Sequence, residues 1–348
     1  MPPGRGSVAV LSPSVDALAV RLPPPPAPPF RVVVVGARQS RHGLGAHLAR
    51  QLAAAGAEIV AVVGSRLATA QAAADALAPT LGHRPMALAH SDDVERLPGL
   101  AALAIASPHE THEPWLRWAV GRGLHVLCEK PLVWGGPAPT TSAGALARRF
   151  AQRGLHLRVN AQWPQALPAF QALHPGVDLH TVRRLELHME PPSRGPTMLP
   201  DAAPHVLSLA YALAPHPRPR LKDLRTTWTD EEGSALILAW THVAGERRLA
   251  VEARLAQGGP SPRGFALALD GCWARREVEP DSYAMRLVDG SRSVTLPDPM
   301  AALVTRFVDD VRAGAPPEPD PSAAYGVAHL EELVAALPAL PVTEIPFP

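Results

Sequence analysis

The chain has 348 residues, 47% of them apolar and 19% charged, with a formal net charge of +1. That length exceeds what one hydrophobic core usually organises, so two domains are expected, and the near-neutral balance argues against nucleic acid or a membrane surface as the main partner. Cys128 and Cys272 are the only cysteines, too few for a secreted disulfide framework, which favours a reducing compartment and the cytoplasm. The stretch Val8–Val20 is broken by Pro13 and Asp16, unlike a signal peptide, and no run of 18 apolar residues predicts a membrane span.

Residues 1–29 end in Pro23-Pro24-Pro25-Pro26-Ala27-Pro28-Pro29 and predict a stiff, polyproline II-type arm. The pattern then changes. Arg31–Val35, ending at Gly36, reads as a buried parallel strand, followed by a loop and an Ala/Leu-rich helix over Ala46–Ala55. Strands at Glu58–Val63, Ala101–Ala106 and Leu124–Cys128 alternate with helices at Ala68–Ala78 and Glu113–Val120. This alternation predicts βαβ units and a Rossmann-type doubly wound parallel sheet over 30–150. From 151 to 348 the strand-like segments have few helices between them: Val182–Met189, Ala235–Thr241, Arg248–Leu255, Phe265–Cys272 and Tyr283–Leu287. Several alternate apolar with polar residues, which predicts an α+β domain with a mainly antiparallel open sheet. Helices at Met300–Ala313 and Ala323–Leu337 close the chain, the last elements being candidates to pack back on the first domain.

A strand, a glycine loop and a helix N-terminus form the usual seat of a dinucleotide pyrophosphate. Here the loop reads Gly36-Ala37-Arg38-Gln39-Ser40-Arg41-His42-Gly43-Leu44-Gly45, longer than G-x-G-x-x-G. Gly36 and Gly43 are the candidate glycines. Arg38, Ser40 and Arg41 either bond phosphate oxygens or are ordinary solvated loop residues. The second strand ends Val63-Gly64-Ser65-Arg66, with no acid before Asp75 to hold a ribose 2′-OH. Ser65 and Arg66 suit a 2′-phosphate, so NADP(H) is expected ahead of NAD(H); Arg66 as a helix-flanking surface charge is the competing reading.

The most specific signal is Ala104-Ile105-Ala106-Ser107-Pro108-His109-Glu110-Thr111-His112, followed by Gly123-Leu124-His125-Val126-Leu127-Cys128-Glu129-Lys130-Pro131-Leu132. It resembles the glucose–fructose oxidoreductase/inositol dehydrogenase (Gfo/Idh/MocA) family, densely over 100–132 and thinly after 150. The resemblance implies hydride transfer between a nicotinamide and a carbon bearing oxygen or nitrogen. It implies Lys130 as the group that polarises or protonates the reacting oxygen, with Ser107, Pro108, His112 and Glu129 beside the cofactor. The family's second signature, Asp-x-Gly-x-His-x-x-Asp, is matched in part by Asp201-Ala202-Ala203-Pro204-His205-Val206-Leu207-Ser208. Asp201 and His205 keep their spacing of four and would share a helix face, His205 as acid or base and Asp201 holding its tautomer. Ala203 and Ser208 depart from the signature, and Asp201 as a simple N-cap with His205 merely buried is the structural alternative. Asn160 and Trp163 sit where the family approaches its substrate, although the family's arginine there is missing. Trp163 is equally well read as a packed core residue.

No metal is expected: His109 and His112 are three apart rather than four, and the H-E-x-x-H order is missing. No G-x-S-x-G elbow or phosphate-loop pattern occurs. The sequence therefore predicts an NAD(P)-dependent oxidoreductase acting on a small polar alcohol or ketone, such as a sugar or cyclitol, and working as a homo-oligomer (dimer or tetramer). An NADPH-dependent imine or carbonyl reductase, and a non-catalytic nucleotide-binding regulatory or scaffold protein, are the alternatives.

Overall fold

The computed structural model describes residues 29–37, 43–280 and 282–339. The proline-rich arm up to residue 28 and the loop residues Arg38, Ser40 and Arg41 lie outside them. The first half runs β1 (Arg31–Val35), α1 (Leu44–Ala54), β2 (Glu58–Val63), α2 (Leu67–Leu81), β3 (Met86–Leu88), α3 (Ser91–Glu95), β4 (Leu100–Ile105), α4 (His112–Arg122), β5 (His125–Cys128), α5 (Pro139–Gln152) and β6 (Leu157–Val159). The strands pair in parallel in the order β3-β2-β1-β4-β5-β6. Val32 to Val35 are all buried because helices cover both faces, which is why an unbroken valine run is stable here. One apolar cluster lies on each face. Strand β6 closes the sheet, so this layer runs past residue 150, where the alternation seen in the sequence fades.

The second half runs α6 (Leu167–Leu173), β7 (Arg184–Met189), α7 (Met198–Leu213), β8 (Arg220–Trp228), β9 (Ala235–Ala244), β10 (Arg247–Ala256), β11 (Phe265–Leu269), β12 (Cys272–Val278), β13 (Met285–Asp289), β14 (Arg292–Leu296), α8 (Pro299–Arg312), α9 (Pro321–Ala324) and α10 (Gly326–Ala335). Its eight strands lie in the order β14-β13-β12-β11-β7-β10-β9-β8, antiparallel except for β7 beside β10. Two sequence expectations are corrected. The segment Phe265–Cys272 is not one strand but a hairpin: Asp270 (φ 48°) and Gly271 (φ 85°) make a two-residue turn of the type that matches strand twist. The closing helix expected over Ala323–Leu337 breaks at Tyr325 into α9 and α10.

Helix α8 returns to the first half. Its Asp298 side chain caps the helix by accepting from the Met300 amide and meets His47 of α1 at 2.9 Å. Phe307 packs edge-on against Phe30 at 6.3 Å. Under the second sheet, Tyr211 of α7 and His329 of α10 join through Oη and Nδ1 at 2.8 Å. Burial, helped by the nearby His242, lowers the His329 pKa from 6.5 to about 4. The folded state thus holds His329 neutral while the unfolded chain takes a proton at about 6.5. Its contribution to stability is complete above pH 6.5 and is lost as pH falls toward 4, amounting to about 3 kcal/mol. Urea denaturation of His329→Gln between pH 4 and 7 is expected to show a slope flattened by that amount.

Candidate active site

The sheet order reverses between β1 and β4, and their carboxyl ends open a cleft of about 550 Å³. At its base Gly36 adopts φ +88°, and a Cβ there would lie 2.5 Å from the Ser107 amide nitrogen and 2.7 Å from the Ala106 carbonyl carbon. Only glycine fits both demands. Gly45, in the first turn of α1, faces back onto Gly36: a Cβ would collide with the Gly36 carbonyl and sit 2.9 Å from Ala37 Cα. The helix N-terminus is therefore pressed against the strand end, bringing its free amides to the cleft. Gly43 precedes the helix in a left-handed conformation (φ 64°) as its N-cap. Gly45, not Gly43, makes the tight contact; the sequence shows it only as the last glycine of a lengthened loop.

Of the residues expected at the cofactor, Gly36, Ser65, Ser107, Pro108, Glu129 and Lys130 line the cleft. Gly43, Arg66 and His112 stand off its wall. Arg66 is the N-cap of α2, its backbone bonded to Thr69 Oγ1. His112 is fully buried, with Nδ1 2.9 Å from the Pro131 carbonyl and Nε2 2.9 Å from the Ser107 carbonyl. It ties the ends of β4 and β5 together instead of facing the cleft. Burial lowers its pKa against the pull of the two carbonyls. Thr111, which the sequence did not single out, donates to Ser107 Oγ at 2.6 Å and lines the cleft.

Lys130 follows the end of β5 by two residues, at a cis peptide bond to Pro131. It is half-buried, and its Nζ donates to the Asp201 carbonyl at 2.5 Å, joining the two halves of the chain. Burial lowers its pKa, opposed by the charges of Asp201 and Glu129. Glu129 is 5% exposed and accepts from Asn160 Nδ2; burial raises its pKa against Asn160 and Lys130. Helix α7 begins at Met198 with Thr197 as N-cap, so Asp201 lies in its first turn and the N-cap alternative is set aside. The expected Asp201–His205 hydrogen bond is not formed: the His205 Nδ1 is buried without a protein partner, while Asp201 reaches Lys130 through its backbone. Burial, and then the Lys130 charge, hold His205 well below its ordinary pKa, hence neutral.

Trp163 belongs to the second core, stacked on Phe265 at 3.6 Å, yet its edge meets His205 at 6.4 Å. Around it several buried polar atoms lack protein partners: Asn160 Oδ1, Gln162 Oε1, His205 Nδ1 and Arg276 Nε. Such atoms cost free energy unless something bonds them. Among the described residues no group of three or more His, Cys, Asp or Glu side chains is placed to hold a metal, and no helix is long and apolar enough to cross a membrane.

A doubly wound sheet with a glycine-cradled cleft at its switch point defines the NAD-binding Rossmann class. Residues 30–161 match the profile of the Gfo/Idh/MocA oxidoreductase family, NAD-binding Rossmann fold. The inositol 2-dehydrogenase of Streptomyces avermitilis is 36% identical over 137 residues, which is 38% of this chain and 37% of that protein. Inositol 2-dehydrogenase 1 of Paenarthrobacter aurescens is 38% identical over 105 residues, 30% of this chain and 28% of that protein. The matches thus span less than two fifths of these relatives' lengths. The fold likeness extends further. A UDP-N-acetylglucosamine 3-dehydrogenase from Acidithiobacillus ferrooxidans superposes with a TM-score of 0.64 at 21% identity, covering 90% of this chain and 99% of that one. A myo-inositol dehydrogenase from Corynebacterium glutamicum gives 0.65 at 17%, covering 88% and 96%.

Proposed function

We propose that the protein is an NAD(P)-dependent dehydrogenase that oxidises a hydroxyl of a small polyol, a cyclitol or sugar, or reduces the matching ketone. The observation that carries this reading is the position of Lys130. A half-buried amine with a lowered pKa lines the cleft, tied to α7, in the region of partnerless buried polar atoms on Asn160, Gln162 and His205. A polyol offers several hydroxyls to satisfy such atoms. The substrates named for the inositol dehydrogenase relatives favour the same class.

Gly36, Gly45, Ser65, Ser107 and Thr111 would hold the dinucleotide, with its pyrophosphate at the α1 N-terminus and Arg38, Ser40 and Arg41 on the adjoining loop. When bound, the nicotinamide supplies hydride acceptor or donor chemistry. The protein handles the proton: Lys130 Nζ, its pKa lowered by burial, accepts the hydroxyl proton during oxidation and returns it during reduction. His205, held neutral, bonds a substrate oxygen and orients the reacting carbon. Glu129 keeps the Lys130 backbone and Asn160 in place. No acid ends β2, so NADP(H) is preferred over NAD(H), with Ser65 at the cleft wall and Arg66 above it as 2′-phosphate partners. The test is absorbance of reduced nicotinamide with myo-inositol and a panel of hexoses, each with NAD and NADP. Turnover with a polyol, faster in kcat/KM with NADP, is expected; turnover confined to imine or non-polyol carbonyl substrates would replace this reading by a specialised reductase.

A further inference from the structure

Arg276, on β12, is a half-buried cation with no counter-ion among the described residues. It follows the Ala266–Arg275 pair by one residue and so stands beside Phe265 on the helix-covered side of the sheet. Its guanidinium carbon lies 5.3 Å from the centre of the Trp163 ring. One N–H group donates to the Arg263 carbonyl, and Nε is enclosed with no partner. Among the described residues no carboxylate pairs with it, and burial alone lowers its pKa. The contrast with the rest of the sheet is plain: Arg184, Arg254, Arg275 and Arg286, on the exposed side, all pair with glutamates.

A half-buried guanidinium whose Nε is enclosed and unpaired is costly unless an acceptor meets it, and an anion is the strongest such acceptor. Its planar fork matches a carboxylate or phosphate in a two-point hydrogen bond. Trp163 connects this cation to the reaction site, because the indole that carries Arg276 also meets His205 edge-on, and His205 senses the Lys130 charge. We propose that Arg276 is an anion-recognition residue of the substrate site, and that the natural substrate is an acidic polyol carrying a carboxylate or phosphate away from the reacting carbon. This rests on the dehydrogenase reading above and narrows it to a charged substrate class. Arg276 draws the anionic end toward Trp163, which leaves the hydroxyl end for Lys130 and His205.

The test uses three probes that share a ring and differ at one carbon: D-glucose, D-glucuronate and D-glucose 6-phosphate. Each is titrated calorimetrically into the full-length protein saturated with NADPH. At least one anionic probe is expected to bind at least tenfold more tightly than glucose. Arg276→Gln should lower that anion's affinity at least tenfold more than it lowers glucose's, and Arg276→Lys should fall between. Uronate ahead of the phosphate ester assigns a carboxylate; the reverse assigns a phosphate. Unchanged melting temperature and NADPH affinity in the variants show that the fold is kept. Equal binding of all three probes, no binding of any, or an anion preference that survives Arg276→Gln would overturn the proposal and leave Arg276 as packing for Trp163. Failure of NADPH itself to bind would instead remove the dehydrogenase reading. The same titrations without nucleotide then decide the anion site separately.

Discussion

Replacing Lys130 by alanine is expected to lower kcat by about 10²- to 10⁴-fold, the range of a positioned acid–base group, while cofactor affinity stays within about tenfold. Lys130 is the side chain at the carboxyl edge of β5 that reaches both the cleft and helix α7, and its contact on α7 is a backbone carbonyl, not a carboxylate that would fix its charge. Burial therefore acts on the ammonium with only partial relief from Asp201 and Glu129. Steady-state kinetics beside nucleotide titration separates the two effects. Equal loss of nucleotide affinity and rate would make Lys130 a cofactor ligand; unchanged turnover would remove it from the chemistry. Lys130→Arg should not rescue the rate, because guanidinium does not release its proton near neutral pH.

Gly45→Ala is expected to destabilise the protein by about 3 kcal/mol and to weaken nucleotide binding by more than tenfold. The added Cβ meets backbone, the Gly36 carbonyl and Ala37 Cα, which cannot swing aside as a side-chain tip would. Helix α1 must then lift off the end of β1, taking its amides away from the pyrophosphate seat. Gly121→Ala supplies the contrast. Gly121 lies in α4 with nothing within 4 Å of the added methyl and no positive φ, so stability should rise by about 0.5–1 kcal/mol. Thermal denaturation of both variants, with nucleotide titration, checks the pair. A Gly45→Ala protein as stable as the parent would mean that α1 does not press on β1.

The nucleotide-binding half was legible because its physics is local. Valine runs buried on both faces, glycines at strand ends and Ala-rich helices each leave a signature within ten residues. Glu129-Lys130-Pro131 and Ser107-Pro108 likewise stand at strand ends that the alternation already marks. The second half hides its site because that site is assembled across the sheet. Arg276 comes beside Trp163 only through the Asp270-Gly271 hairpin, and reading Phe265–Cys272 as one strand passes over that turn. The Asp201–His205 spacing was read correctly as one helix face, but a shared face does not make a bond. Helix α7 starts four residues earlier than Asp201 as its N-cap would imply, and the contact to Lys130 runs through a carbonyl that no sequence pattern marks. His112 shows the converse: a histidine beside the cleft in sequence, its side chain turned inward to clamp two loop carbonyls.

Calorimetric titration of the protein with NADPH and NADH side by side tests the cofactor site and its preference together. One site per chain is expected for each, with NADPH tighter by at least about tenfold, or 1.4 kcal/mol, through Ser65 and Arg66. Binding of neither nucleotide would contradict that expectation, and the cleft at Gly36 and Gly45 would belong to a protein that has given up the cofactor.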